Sequence, residues 1–211
     1  MIAIVDYGMG NLRSVWKAFH HLGADARLTQ DPRVVTSAER VVLPGVGAFS
    51  DCMTNLARLG LVEAILEAIH RGKPYLGICL GLQILFEESE EFGRTPGLGI
   101  LKGRVRRFPS DMPAQGKGGT ATLKVPHIGW NALRIVKELP IFEGVPQGAY
   151  CYFVHSYYGE PEDPSVTASV TDYGIEFASS VWKENVFACQ FHPEKSQRVG
   201  LRLLENFLNL G

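Results

Sequence analysis

The apolar positions of the first ninety residues alternate between two periods. Short apolar runs, which predict buried strands, cover residues 2–5, 41–43 and 74–78, and Pro44-Gly45 is expected to stop the second run. Between the runs, apolar residues recur every three or four positions, as on the buried face of a helix. The predicted helices start after Asn11 as N-cap and end at Gly23, span 61–69, and span 80–88. This alternation predicts an α/β fold with a doubly wound, mostly parallel sheet; a mixed α+β fold is the alternative.

The pattern changes after about residue 97, where glycine, proline and β-forming residues dominate. Strands are predicted at 150–158, 166–170, 178–182 and 186–191, and residues 183–185 predict a hairpin turn between the last two. Segment 109–119 predicts an exposed, mobile loop. A final amphipathic helix places Val199, Leu203, Leu204, Phe207 and Leu208 on one face. Because no linker or repeat interrupts the chain, residues 1–211 are predicted to form one domain with a β-rich second half.

Composition excludes several classes of function. Lysine and arginine number 21 against 22 acidic residues, so no basic surface for nucleic acid or an anionic membrane is expected. The apolar stretches are too short for a membrane span, and the first residues lack the basic start of a signal peptide. The four cysteines (Cys52, Cys79, Cys151 and Cys189) have neither zinc-ligand spacing nor a disulfide pattern. We therefore expect a cytoplasmic location and no metal or cofactor.

The sharpest local feature is the run Gly77-Ile78-Cys79-Leu80-Gly81, placed between a predicted strand and a predicted helix. It has the form of a nucleophile elbow with cysteine in the place of serine. The sharp turn requires small neighbours two residues to either side, and it places the thiol at a helix N-terminus, where the dipole favours the thiolate. The backbone N–H of Leu80 is then free to bind an oxyanion. The alternative is a buried structural cysteine.

A thiol nucleophile needs a base, and His192-Pro193-Glu194 supplies a candidate just after an apolar strand. A carboxylate two residues from an imidazole can orient it. His155 is the rival base, although no acidic residue adjoins it. The remaining histidines have no such setting and are expected to be structural or on the surface: His20, His21, His70 and His127.

The run 44–47 (PGVG) follows the second predicted strand and is the natural source of a second oxyanion donor. Glycines let a backbone N–H approach a ligand and reorient at low steric cost. Gly45 and Gly47 are therefore hinge-like positions in this run. A plain turn is the alternative reading of the same residues.

Taken together, these motifs resemble those of the class I (triad) glutamine amidotransferases. PYLGICLGLQ around Cys79 is similar to that family's elbow, and FHPE around His192 to its His-x-Glu signature. More narrowly, the chain resembles the glutaminase subunits of imidazole glycerol phosphate synthases. That narrower resemblance extends from end to end, over residues 6–12, 43–49, 77–91, 128–131, 152–158 and 190–196.

The resemblance implies a flavodoxin-like fold and a role for each matching residue. Cys79 would form a thioester with L-glutamine, His192 would transfer protons, and Glu194 would orient His192. The amides around Gly47 and Leu80 would bind the oxyanion. No cofactor is implied. The partner would be a (β/α)₈-barrel cyclase subunit, which in a heterodimer uses the ammonia to make imidazole glycerol phosphate and AICAR from PRFAR in histidine biosynthesis.

The resemblance also implies residues that contact the substrate and the partner. Gln83 and Glu91 match positions that hold glutamine, and Ser156 and Tyr157 should line the same pocket. The positions that match cyclase contacts around the ammonia exit are Asn11, Trp130, Tyr150, Tyr152 and Lys195.

Three other readings remain open at this point. The chain could be a triad amidotransferase of anthranilate, pyridoxal phosphate or guanylate synthesis, although the segments at 6–12 and 154–158 argue against that. It could be a cysteine hydrolase or a DJ-1-like protein, which also carries cysteine at an elbow but lacks the HPE pairing. It could be a binding module in which Cys79 is only structural.

Overall fold

A computed structural model describes residues 1–112 and 122–210 of the chain. The strands of these residues are β1 (Ile2–Val5), β2 (Ala26–Thr29), β3 (Arg40–Gly45), β4 (Tyr75–Cys79), β5 (Phe86–Ser89), β6 (Thr95–Pro96), β7 (Leu101–Arg107), β8 (His127–Ala132), β9 (Arg134–Ile135), β10 (Tyr150–His155), β11 (Tyr157–Pro161), β12 (Thr167–Asp172), β13 (Glu176–Lys183) and β14 (Val186–Cys189). The α-helices are α1 (Leu12–His21), α2 (Pro32–Ser37), α3 (Phe49–Arg58), α4 (Leu61–His70), α5 (Leu80–Gln83) and α6 (Gln197–Leu208).

A central sheet of eight strands in the order β2-β1-β3-β4-β14-β13-β12-β9 organises the described residues. The strands from β2 to β14 are parallel, and those from β14 to β9 pair antiparallel. The doubly wound, mostly parallel sheet is thus confirmed for the strands that surround the site, and the β-rich second half supplies the antiparallel edge. The apolar runs β1, β4 and β14 are buried along their whole length, as expected where helices cover both faces of a parallel sheet.

The hydrophobic core lies in two layers, one on each face of this sheet. Because side chains alternate along a strand, Ile2 and Ile4 point into the layer that contains α1 and α6, while Ala3 and Val5 point into the layer that contains α3 and α4. The predicted apolar face of the last helix is confirmed: Leu203, Leu204 and Phe207 are buried there, with Val199 and Leu208 partly buried beside them.

Two smaller sheets extend from the antiparallel side. β10 pairs with β8, and the order β11-β7-β5-β6 forms the other. The prediction of one strand over 150–158 is wrong in one respect. The strand is interrupted at Ser156, and the two parts, β10 and β11, belong to different sheets. The break gives Tyr157 a partner in β7 that a continuous strand could not reach.

Three further sequence predictions need correction. The helix predicted at 80–88 ends after one turn at Gln83, because Phe86–Ser89 pairs with β7 and β6 instead. The strand expected to stop at Pro44-Gly45 includes both residues, which pair with β4. Pairing of β3 with β1 ends at Val42, so the missing N–H of Pro44 interrupts no hydrogen bonds to β1.

In the loop predicted at 109–119, Met112 is buried rather than exposed, and residues 113–119 lie outside the described part of the chain.

Other local predictions are confirmed. Gly23 follows the last turn of α1 with a φ of +74°. Asn11 stands at the N-cap position, but its side chain makes no capping hydrogen bond to the backbone and accepts from the Ser14 hydroxyl instead. The turn between β13 and β14 is a two-residue hairpin closed by the pair Lys183 and Val186. Within residues 1–112 and 122–210, no helix has the length and apolarity needed to cross a membrane.

Candidate active site

Cys79 lies at the carboxyl end of β4 in a backbone conformation that residues other than glycine rarely adopt, with φ +56° and ψ −103°. The flanking glycines are sterically required. A Cβ on Gly77 would lie 2.4 Å from the Gly81 carbonyl oxygen, and a Cβ on Gly81 would lie 1.9 Å from the Leu43 carbonyl oxygen. The strand–turn–helix elbow is therefore present with its strained cysteine. Because α5 has only four residues, the dipole support expected from a long helix is small.

His192 and Glu194 follow β14, the strand next to β4, so the carboxyl ends of two adjacent parallel strands meet here. His192 Nδ1 lies 2.8 Å from Glu194 Oε1, and the two side chains are 2% and 1% exposed. Proline at 193 starts a single 3₁₀ turn that folds the carboxylate back onto the ring. The predicted pair is thus formed, and it is buried.

The electrostatics of His192 depend on its two neighbours. Burial alone would lower the pKa of His192, but its interactions with Cys79 and Glu194 outweigh burial and raise that pKa above its usual value. His192 Nε2, the nitrogen that does not face Glu194, is buried and makes no hydrogen bond to any described residue. The structure therefore brings Cys79, His192 and Glu194 together, with one imidazole nitrogen available for proton transfer.

His155, the rival base, has both ring nitrogens hydrogen-bonded to groups other than Cys79. Its Nδ1 lies 2.8 Å from the Tyr157 carbonyl oxygen, which can only accept, so Nδ1 carries the hydrogen. Its Nε2 then accepts from His127 Nδ1 at 3.1 Å. Burial lowers the pKa of His155 to about 3 and that of His127 to about 4. Both nitrogens of His155 are in use, and the pair stays neutral at physiological pH.

A cavity of about 690 Å³ opens beside the elbow. Its lining includes Cys79, the predicted oxyanion residues Gly47 and Leu80, and the predicted substrate residues Gln83, Glu91, Ser156 and Tyr157. The lining also includes His155, the rival base, and five residues to which the sequence assigned no pocket role: Val46, Phe92, Arg107, Pro126 and Val154. All seven predicted residues of the pocket thus line one cavity.

Two polar side chains in the cavity wall are held by backbone groups. Glu91 Oε2 accepts the N–H of Phe49 at 2.7 Å, which fixes a carboxylate at the cavity. Gln83 Nε2 donates to the Tyr157 carbonyl at 2.9 Å and to Gln190 Oε1 at 3.1 Å. Gln190, which the sequence analysis passed over, is fully buried and donates from Nε2 to Cys79 Sγ at 3.5 Å. Its only signal in the sequence is that it begins the segment 190–196, which is part of the resemblance.

The two glycines of the predicted oxyanion loop, Gly45 and Gly47, differ in backbone conformation and in packing. Gly47 has a φ of +108° and lies beside Met9, whereas Gly45 is the last residue of β3 and pairs with Cys79. A Cβ on Gly45 would lie 2.4 Å from the Tyr7 hydroxyl and 2.7 Å from the Leu80 Cβ. In this arrangement Gly45 is a close-packing residue, and the hinge geometry belongs to Gly47 alone.

The residues predicted to face a partner lie mostly on one exposed face of β8 and β10. Trp130 is 45% exposed and Tyr150 is 61% exposed. Trp130 pairs in register with Tyr152, whose ring lies 5.7 Å from Lys195 Nζ. Asn11, at the start of α1, is half-buried and its Oδ1 accepts from Ser14. Ile128, which is 59% exposed on β8, extends this surface and was not predicted.

A parallel sheet with a strained cysteine elbow and a buried His–Glu pair on the next strand defines a class I glutamine amidotransferase. The family model for "Glutamine amidotransferase class-I" matches residues 3–210. The "Imidazole glycerol phosphate synthase subunit HisH" of Syntrophotalea carbinolica is 59% identical over 207 residues, which cover 98% of each chain. The chain belongs to the class I glutamine amidotransferase family and, within it, to the HisH subunits of imidazole glycerol phosphate synthase.

Further relatives agree with this assignment. The HisH subunit of Geobacter sulfurreducens is 55% identical over 206 residues, covering 98% of this chain and 97% of that one. The HisH subunit of Aquifex aeolicus is 54% identical over 205 residues, covering 97% and 94%. Among solved structures, PurLQS from Thermotoga maritima has a TM-score of 0.75 at 20% identity and covers 99% of this chain and 97% of that one. That likeness concerns the fold alone.

Proposed function

We propose that the protein hydrolyses L-glutamine to glutamate and ammonia through a thioester on Cys79, and that it passes the ammonia to a cyclase subunit. The observation that carries the proposal is the arrangement of Cys79 with the buried pair His192 and Glu194, in which Cys79 borders a cavity that also holds the fixed carboxylate of Glu91. An amide is a poor electrophile, and covalent catalysis divides its hydrolysis into two easier steps.

In the first half-reaction, the Cys79 thiolate adds to the carboxamide carbon of glutamine. The carbonyl oxygen becomes an oxyanion, which the backbone N–H groups around Gly47 and Leu80 would bind. The C–N bond then breaks while protonated His192 gives its Nε2 proton to the leaving nitrogen. Ammonia departs, a γ-glutamyl thioester remains, and His192 is neutral. Glu194 accepts the Nδ1 hydrogen throughout and keeps Nε2 directed at the reacting groups.

In the second half-reaction, neutral His192 takes a proton from water, and the hydroxide adds to the thioester carbon. The C–S bond breaks, glutamate leaves, and the thiolate with its protonated imidazole is restored. The raised pKa of His192 fits the acid form that the first step needs. Both half-reactions use only these side chains, the backbone amides and water.

The cavity suits a free amino acid. Glu91 offers a carboxylate for the α-ammonium group, and its bond to the Phe49 N–H holds that carboxylate in place. Gln83, Ser156 and Tyr157 add polar groups around the cavity. The exposed apolar face that contains Trp130 and Tyr150 is our candidate for contact with a (β/α)₈ cyclase, which would convert PRFAR to imidazole glycerol phosphate and AICAR.

A switch in the oxyanion loop would limit wasteful glutamine hydrolysis. Losing one oxyanion donor costs about 10²–10³ in rate. Rotation of the backbone at Gly47, prompted when the cyclase binds its substrate, would supply or withdraw one such donor. If the glutaminase rate of the complex did not respond to the cyclase ligand, this part of the proposal would be wrong.

The test replaces Cys79 by alanine in the complex with its cyclase. We expect glutamine-dependent synthesis to stop and synthesis from added ammonium to continue, because the cyclase keeps its partner surface. Cys52→Ala, which removes a buried thiol of α3 outside the cavity, is the matched control and should retain both activities. Loss of both activities in the Cys79 variant would mean that this residue is structural.

A further inference from the structure

A chain of hydrogen bonds reaches the Cys79 sulfur from the side of Gln190, and the triad does not include it. The chain begins at the Tyr157 carbonyl, which accepts from Gln83 Nε2 at 2.9 Å. The same Nε2 donates to Gln190 Oε1 at 3.1 Å. Gln190 Nε2 then lies 3.5 Å from Cys79 Sγ. Gln190 is 0% exposed and Gln83 is 6% exposed. The Gln190 amide is therefore shielded from bulk water, while Gln83 and Cys79 border the cavity.

The direction of this chain follows from its first member. A carbonyl oxygen can only accept, so the Gln83 atom that faces Tyr157 must be the NH₂ group. The second hydrogen of that group points at Gln190, so the Gln190 atom that meets it must be the amide oxygen. The amide nitrogen of Gln190 is left facing Cys79, where it can only donate. The orientation of both amides is thus set by one backbone carbonyl, and an N–H is directed at the sulfur.

Such a donor matters because the sulfur is buried. Cys79 is 6% exposed, and a thiolate removed from water needs donors to replace its hydration. The imidazolium of His192 supplies one interaction and the Gln190 amide supplies a second. When Cys79 is protonated and its sulfur accepts from Gln190, the S–H hydrogen must point to a different acceptor. His192 Nε2 is suited to that role because it has no other hydrogen-bond partner among the described residues.

We propose that Gln190 is a positioning residue whose amide N–H holds the Cys79 sulfur toward His192 and favours its thiolate form, with Gln83 and the Tyr157 carbonyl keeping that amide in orientation. The inference rests on the proposed function of Cys79 as the nucleophile. It assigns Gln83 a task besides contact with substrate. The backbone N–H of Gln190 donates to the Ser179 carbonyl at 2.9 Å, so the side chain starts from a fixed backbone position.

The experiment measures the rate of alkylation of Cys79 by iodoacetamide against pH, in the full-length chain, for wild type and Gln190→Met. The methionine keeps the length of the side chain and removes the N–H. A hydrogen bond to a charged group has a strength that corresponds to about one to two pH units. We expect the profile to move up by that amount, with an alkylation rate about tenfold to a hundredfold lower at pH values below the wild-type midpoint. In the cyclase complex, kcat for glutamine should fall while KM changes little.

Three further variants keep the outcome interpretable. Gln190→Glu preserves the acceptor for Gln83 and replaces the donating group by an oxygen, so its profile should also move to higher pH; it substitutes for the methionine variant if that one fails to fold. Gln147→Met removes an exposed glutamine whose hydrogen bonds to described residues go to the Ile135 backbone, and it should leave the profile unchanged. Cys79→Ala gives the background labelling.

The outcomes separate this inference from the proposed function. If wild type hydrolyses glutamine while a folded Gln190 variant keeps the wild-type alkylation profile and kcat, the positioning role is wrong and the nucleophile stands. If wild-type Cys79 is not labelled by a glutamine-mimicking electrophile and no glutamate forms, the proposed function fails first. A loss of activity with an unchanged pH profile would also overturn the role assigned to the N–H.

Discussion

Mild acid should destabilise the protein through the buried pair His127 and His155. Burial lowers the pKa of His155 to about 3, with the charges of His127 and His192 acting in the same direction. The unfolded chain has an ordinary histidine pKa near 6.5. Between these two values the unfolded state binds a proton that the folded state does not, so the free energy of unfolding falls as pH falls from 6.5.

The size of the loss follows from the shift. A single histidine with these properties changes the free energy of unfolding by up to about 1.4 kcal/mol per pH unit, which integrates to about 1.6 kcal/mol between pH 6.5 and pH 5. His127, whose pKa burial lowers to about 4, acts with the same sign. His192 acts weakly in the opposite direction, because its raised pKa keeps the folded state protonated while the unfolded state, with a pKa near 6.5, gains only the remaining half of its proton as pH falls.

The assay is urea unfolding at several pH values between 6.5 and 5, in wild type and His155→Asn. Asparagine can keep the donor to the Tyr157 carbonyl and does not titrate, so the loss of stability with falling pH should shrink by about half or more. Phe207→Leu, a core substitution whose ring packs on Phe19 in the layer of α1 and α6, should lower stability equally at every pH. A wild-type free energy of unfolding that is flat over this range, or an unchanged slope in His155→Asn, would refute the reasoning.

Three further substitutions test the geometry of the site. Gly81→Ala should lose about 3 kcal/mol or more in urea unfolding, because its Cβ would lie 1.9 Å from the Leu43 carbonyl; a stable, active variant would contradict the elbow packing. Glu194→Gln should lower kcat for glutamine by about 10²–10⁴ and leave ammonium-dependent synthesis intact, because it removes the charge that orients His192; a change in KM alone would argue against that role. Trp130→Ala should weaken binding of the cyclase in titration calorimetry by about tenfold without altering thermal unfolding; unchanged affinity would exclude this face.

The sequence is most informative where local chemistry and packing agree. The elbow could be predicted because only glycine is tolerated at 77 and 81, and the triad because His192 and Glu194 are neighbours in the chain and lie after a buried strand. The helix at 80–88 could not be predicted correctly, because its apolar residues also suit a strand, and pairing of Phe86–Ser89 with β7 decides between the two.

The hydrogen-bond networks around the site could not be predicted from the sequence, because they depend on the pairing register of strands that are far apart in the chain. His127 meets His155 only because β8 and β10 pair at these two residues. Gln190 reaches Gln83 because β14 lies beside β4, and a glutamine two residues before a histidine carries no signal of that contact. Such residues become visible only when the strand order is known.

The central claim is that Cys79 carries the γ-glutamyl group during hydrolysis, and mass spectrometry of acid-quenched complex tests it most directly. Glutamine is mixed with the cyclase complex, the reaction is stopped during turnover, and the peptide that contains Cys79 is weighed. The account predicts the mass increment of one γ-glutamyl group on Cys79, with none on Cys52, Cys151 or Cys189 and none in Cys79→Ala. Glutamate formation during turnover without any acylated Cys79, or with the group on another residue, would contradict it.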